Sequence, residues 1–290
     1  MKTLLATLLL LTLNVFAGPA LETNTFKDID KMASKLAKKY GAKNVLIVLD
    51  IDNTVLKMKS NIGSDQWFNW QSKNCLGKKS PDFCAAKTFD GLLYAQGVLF
   101  EILPMMPTEE ITPKIVNKLQ KNSHPLFLLT SRGASYRAGT QRELKKNGYK
   151  IKNYIGPKHG YPSTYKPFDV KNPKKYNLTK EDIIIAKLKN ARSISYMDGV
   201  MMTSGMNKGI MLKTILNKTG INPKAIIFVD DHLKHTVRVQ AIMGNMKGLE
   251  MVTFRYGAVD KDVKAFKKSN KALEIKQYKL LDTAINSMVK

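Results

Sequence analysis

Apolar residues in this chain follow two rhythms: short runs with few or no polar breaks, and longer stretches in which they recur every three to four positions. The runs are VLIVL at 45–49, LFLL at 126–129, AIIFV at 225–229 and LEMVTF at 249–254. Their consecutive aliphatic and aromatic positions suit strands covered on both faces. Helical spacing fills the intervals at 113–121, 134–147, 208–219 and 233–243. Ahead of the first run, residues 24–40 place Phe26, Ile29, Met32, Leu36 and Tyr40 on one face, with a cap at Asn24 or Thr25 and a stop at Gly41. Strand and helix in alternation predict an α/β fold with a doubly wound, Rossmann-like parallel sheet.

Two stretches break the alternation. Residues 56–112, with Trp67, Phe68, Trp70, Cys75 and Cys84, are too long for a crossover and read as an inserted cap. The three aromatics either form a surface that covers a substrate or make up the cap's own core. Residues 151–192 hold several Pro, Tyr and Lys and read as an irregular surface excursion before a short helix near 180–190. The last segment, 260–289, reads as one or two basic amphipathic helices on the edge of the sheet, with the Lys cluster 261–279 on a solvated face.

The amino terminus changes the setting. Residues 1–20 combine Lys2, an apolar run from Leu4 to Leu13 and the small-residue exit Val15-Phe16-Ala17. That is the pattern of a secretory signal peptide cleaved after Ala17 or Ala20, leaving residues 21–290 as one exported domain, periplasmic or secreted, with no stable membrane insertion. In an oxidising compartment Cys75 and Cys84 either close a small loop or remain two thiols. They have no nearby His or further Cys, which removes a zinc site.

The net charge of +25 admits a polyanion, an anionic membrane or only a solvated basic shell. The basic set is 42 Lys against 6 Arg, however, and base-reading or bidentate phosphate surfaces lean on Arg. No specific nucleic-acid partner is expected.

Chemistry-bearing residues stand at the strand ends. The first run stops at Asp50-Ile51-Asp52-Asn53-Thr54. Carboxylates at i and i+2 of an extended chain face the same way about 6.5–7 Å apart, a spacing at which one can attack a centre while the other protonates its leaving group. Capping of the following turn is the competing reading. The second run ends at Thr130-Ser131-Arg132-Gly133, either an anion-binding helix start or a plain Ser/Thr cap. The third ends at Asp230-Asp231, and an oxygen-only donor set suits Mg²⁺ over zinc. Asn207-Lys208-Gly209 opens the helix at 208–219 with an ammonium. His232 and His235 raise the question of a second metal, but helix placement with one His at the surface explains them as well. In a parallel sheet all these strand ends share one edge, the edge at which such folds bind ligands.

The order of these residues, DIDNT at 50–54, LLTSR at 128–132, NKG at 207–209 and FVDD at 228–231, resembles the haloacid dehalogenase-like superfamily of phosphohydrolases, in particular its exported acid-phosphatase-type bacterial members. The resemblance spans about 41–257 without the insertions. It implies a phosphatase that hydrolyses a small phosphomonoester with Asp50 as nucleophile, an aspartyl-phosphate intermediate and Asp52 as general acid, then base. Thr130 and Lys208 would hold the phosphoryl group, and Ser131 and Arg132 would touch substrate. Mg²⁺ would be held by Asp50, the Asp52 carbonyl and Asp231. Asp230, where many members have Gly, is left as a second ligand or as an acceptor behind the site. An exported binding or host-interaction protein on the same fold is the alternative. Four costly carboxylates in an idle site count against it.

Overall fold

The computed structural model describes residues 20–77 and 81–289, so the predicted signal segment at 1–19 lies outside the described residues. Among the described residues there are nine strands: β1 (Leu21–Thr23), β2 (Val45–Leu49), β3 (Leu56–Met58), β4 (Met105–Pro107), β5 (Leu126–Thr130), β6 (Ser195–Met197), β7 (Val200–Met202), β8 (Ala225–Asp230) and β9 (Glu250–Tyr256). The helices are α1 (Phe26–Tyr40), α2 (Asp65–Cys75), α3 (Phe89–Ile102), α4 (Thr112–Lys121), α5 (Arg137–Lys146), α6 (Lys180–Ala186), α7 (Lys208–Thr219), α8 (Leu233–Met243), α9 (Asp260–Lys268) and α10 (Ala272–Val289).

Seven strands form one sheet in the order β1-β9-β8-β2-β5-β7-β6, parallel throughout except for the β6–β7 pair. The centre strand β2 is buried along its whole length and feeds two cores. Val45, Ile47 and Leu49 pack with residues of α1 and α4, while Leu46 and Val48 pack with residues of α7 and α8. This period-two division is what a run without polar positions dictates, and it gives the α/β, Rossmann-like arrangement that the hydrophobic pattern predicts.

Four features depart from the sequence reading. A three-residue strand, β1, pairs with β9 just ahead of α1, too short to carry a periodicity. The hairpin β6–β7 turns on Asp198 and Gly199, both with positive φ, the backbone that a two-residue turn of this kind requires. The 151–192 stretch is more than a surface excursion, because Ile155, Phe168 and Leu178 are buried in the α7–α8 core. Finally, α9 and α10 do not line the sheet edge. Phe266 of α9 and Tyr278 of α10 join the core of the 56–112 insertion, with ring centroids 6.4 Å from Trp70 and 5.8 Å from Trp67 respectively.

The insertion leaves and returns through an antiparallel ribbon, Leu56 opposite Pro107 and Met58 opposite Met105, with α2 and α3 between. A Cys75–Cys84 disulfide ties the end of α2 to the following loop. Trp67 is fully buried, Trp70 stacks on Phe83 at 5.2 Å and Phe68 meets Phe89 edge-on at 6.3 Å. The aromatic triplet is therefore the insertion's own core, the second of its two readings.

Candidate active site

At the end of β2 the Asp50 N–H still bonds Val229 O of β8 at 2.9 Å, so the carboxylate leaves the sheet from a fixed backbone. The chain then curls: Val55 N and Leu56 N both donate to Ile51 O at 3.0 Å, with Asn53 at φ 56°. Asn tolerates this left-handed turn better than a β-branched residue would. Thr54, at the end of the curl, is fully buried and accepts the Asp231 N–H at 3.1 Å, which locks the β2 loop to the β8 loop.

Lys208 is the first residue of α7, set there by its cap: Asn207 Oδ1 accepts from Gly209 N at 2.9 Å and Ile210 N at 3.2 Å. Gly209 is needed because a Cβ there would sit 2.8 Å from Arg238 O of α8. The Lys208 ammonium lies 2.6 Å from Asp50 Oδ1 and 2.6 Å from Asp230 Oδ2. Asp230 is committed to protein donors on both oxygens: Oδ1 accepts His232 N–H at 2.9 Å, and Oδ2 takes Lys208 with His235 Nδ1 at 3.2 Å. That fits an acceptor behind the site rather than a direct metal ligand. Asp231 differs. Its carboxylate has no hydrogen-bond donor among the described residues, the nearest cation being His232 Nε2 at 3.9 Å.

Oxygens of Asp50, Asp230 and Asp231 lie within 4.8 Å of one another. Burial, reinforced by the neighbouring acids, pushes the Asp50 carboxyl up to about 7 despite Lys208. Burial, again with acidic neighbours, also raises Asp231 well above the carboxylate range. Burial works against the Asp230 carboxylate, but Lys208 and His235 outweigh it and hold Asp230 below that range. Lys208 is held above its usual value because Asp230 and Asp50 outweigh its own burial. Asp50, Asp52, Asp65, Asp230 and Asp231 face three cations: Lys208, Arg132 and His232, whose imidazole Asp65 raises to about 9. Without a further cation the acids can relax this imbalance only by taking up protons, and a hard divalent ion held by oxygens removes it. The Asp50, Asp230 and Asp231 oxygens form a donor set of the kind that holds a hard divalent cation.

Thr130 ends β5 fully buried, its Oγ1 accepting Arg132 N–H at 3.1 Å, so the hydroxyl proton remains available for a ligand. Ser131 is exposed at the loop tip. Arg132 is buried, and its guanidinium grips Asp52, with Nε 3.0 Å from Oδ2 and Nη2 2.8 Å from Oδ1.

Asp50, Asp230, Asp231 and Lys208 thus converge, with Asp52 and Thr130 on the adjoining strand ends. Contacts that the sequence did not announce are His235 on Asp230, Thr54 on Asp231, and Asp65 of the insertion, whose Oδ2 lies 3.0 Å from His232 Nε2. Asp65, Asp231 and His232 also approach within 4.8 Å. Asp65 sits in the first turn of a helix inside an insertion, and no spacing rule links such a residue to a strand end.

None of the curated proteins matches the chain. A family model does, over residues 22–288, which takes in every strand and helix around these strand ends apart from the first residue of β1 and the last of α10. The chain belongs to that family, described as a protein of unknown function (DUF2608).

Proposed function

We propose that this protein is an exported, Mg²⁺-dependent phosphatase of the haloacid dehalogenase-like kind, acting on a small phosphomonoester. The observation that carries the reading is the Lys208 ammonium shared at 2.6 Å by Asp50 and Asp230, beside an Asp231 carboxylate that has no hydrogen-bond donor among the described residues.

Asp50 Oδ2, the oxygen that Lys208 does not hold, attacks phosphorus while the bond to the leaving oxygen breaks. Asp52 gives that oxygen its proton, and an aspartyl-phosphate remains on Asp50. Asp52 then takes a proton from water, which attacks phosphorus; the acyl-phosphate bond breaks, inorganic phosphate departs and the Asp50 carboxylate is restored. Lys208 and the Thr130 hydroxyl hold phosphoryl oxygens, and the exposed Ser131 beside them touches substrate. Asp50, Asp231 and the Asp52 carbonyl would hold Mg²⁺, which when bound offsets the repulsion between a phosphate dianion and these carboxylates. The insertion at 56–112 acts as a cap, and Asp65 already reaches His232 from it. The Cys75–Cys84 disulfide supports an exported setting, since such bonds persist in oxidising compartments.

A panel of phosphomonoesters, run with Mg²⁺ and with EDTA on wild type and Asp50→Asn, tests the reading. Turnover that needs both Mg²⁺ and Asp50 is expected. Turnover indifferent to either, or none on any phosphomonoester, overturns it.

A further inference from the structure

Arg132 is a buried cation with every arm of its fork engaged. Beyond its two bonds to Asp52, Nη1 donates to Thr140 Oγ1 at 2.8 Å, and that hydroxyl in turn donates to Tyr136 O at 2.6 Å. One face of the guanidinium lies on the Phe100 ring, with Cζ 3.7 Å from the centroid, and Nη2 is 3.3 Å from Met105 Sδ. Phe100 belongs to α3 and Met105 to β4, so the insertion supplies both covering groups. α3 is seated firmly at this point: a Cβ on Gly139 of α5 would come within 2.5 Å of Phe100 O, and Arg142 Nη2 donates to the same oxygen at 3.0 Å.

We infer that Arg132 is a positioning residue, one that aims the Asp52 carboxyl for proton transfer and does so only while the insertion is seated on it. The inference rests on the phosphatase reading. A planar fork fixes both the plane and the rotation of a carboxylate, which a single-point ammonium cannot do. An Arg committed in this way has no free edge for a phosphate, so its effect passes through Asp52. Phe100 and Met105 keep water from the guanidinium, and their departure would loosen the grip. The route from insertion to chemistry is thus Phe100 to Arg132 to Asp52.

The test is a double-mutant cycle on the Mg²⁺-loaded enzyme with Arg132→Lys, Asp52→Asn and their combination, assayed on an alkyl phosphate and on dinitrophenyl phosphate, whose leaving group needs no proton. Arg132→Lys should lower kcat on the alkyl ester by about 10–100-fold with KM little changed. The burst of dinitrophenolate should be nearly unaffected, and the double variant no slower than Asp52→Asn alone. Arg132→Lys should melt below wild type, since it gives up the second bond to Asp52 and the stacking on Phe100, but the rise in melting temperature on adding Mg²⁺ should be kept. Phe100→Leu, which leaves the fork intact, should give a smaller loss of kcat with the same leaving-group dependence. Losses that add in the double variant, or a raised KM at constant kcat, would make Arg132 a substrate contact and overturn the inference. A silent Phe100→Leu would overturn the link to the insertion, and that variant also decides the matter if Arg132→Lys does not fold. Wild type inactive on both esters points instead at the phosphatase reading, and the positioning role falls with it.

Discussion

The Lys208 ammonium stands 2.6 Å from Asp50 Oδ1 with both side chains almost wholly buried. The pair is unequal in what its loss would do. Lys208→Met leaves Asp50 and Asp230 facing each other without a cation, and removing one partner of a buried pair costs about 3–5 kcal/mol. Asp50→Asn removes an acid from a crowded set and keeps the Lys208–Asp230 contact. Denaturant titration should therefore show Lys208→Met strongly destabilised and Asp50→Asn as stable as wild type or more so, with turnover lost in both. Equal stability of the two would mean that the pair is not the electrostatic centre of the site.

The raised carboxyl of Asp50, at about 7, sets a direction for metal binding. Its folded value lies above the unfolded one, near 4, so in the metal-free protein its contribution to stability is full below about pH 4 and lost as pH rises through about 7. Asp231, raised by burial, acts in the same sense. A cation must displace these protons, so its apparent affinity rises with pH. The Mg²⁺-induced increase in melting temperature should be small at pH 5 and grow up to pH 8, and Asp231→Asn should remove it. A shift independent of pH would place Mg²⁺ elsewhere on the protein.

Much of this site was legible because β2, β5 and β8 are uninterrupted apolar runs whose polar ends must surface at one edge of a parallel sheet. Asp50, Thr130 and Asp230 could be placed from that rule alone, and Lys208, at a helix start, only from its place in the order of motifs. Arg132 could not, because the sequence says where a guanidinium starts and not which way its long arm turns. Its direction depends on Phe100 and Thr140, which meet it only in the folded chain. Likewise Phe266 and Tyr278 have the spacing of helix residues packed on something, and a periodicity does not name the partner.

The disulfide makes a separate prediction. Cys75 and Cys84 close a loop with a sequence separation of 9, and chain-entropy arithmetic for a loop of that size gives about 2–3 kcal/mol. Cys75→Ser with Cys84→Ser should lower stability by that amount, and hydrogen exchange should quicken first in α2 and the loop after it, ahead of the central sheet. A loss spread evenly over the whole chain would show that the insertion does not open on its own.

The last prediction concerns the contact between the insertion and the strand ends. His232 Nε2 meets Asp65 Oδ2 at 3.0 Å, and that bond, against partial burial and with help from Asp231, raises the imidazole to about 9. A base raised in the folded state gives stability that is complete below its unfolded value near 6.5 and is lost as pH climbs through about 9. Asp65→Asn removes the main cause of the shift. Both side chains are about one-third exposed, so the effect is about 1 kcal/mol rather than that of a buried pair. In metal-free protein the stability gap between wild type and Asp65→Asn should be widest at pH 6 and close by pH 9 to 10, with Asp50 and Asp231 largely cancelling in the comparison. A gap that stays constant across this range would mean that Asp65 acts only within α2, through its place in the first turn and its bond from Asn69 Nδ2, and that the insertion is tied to the site by Phe100 and not by His232.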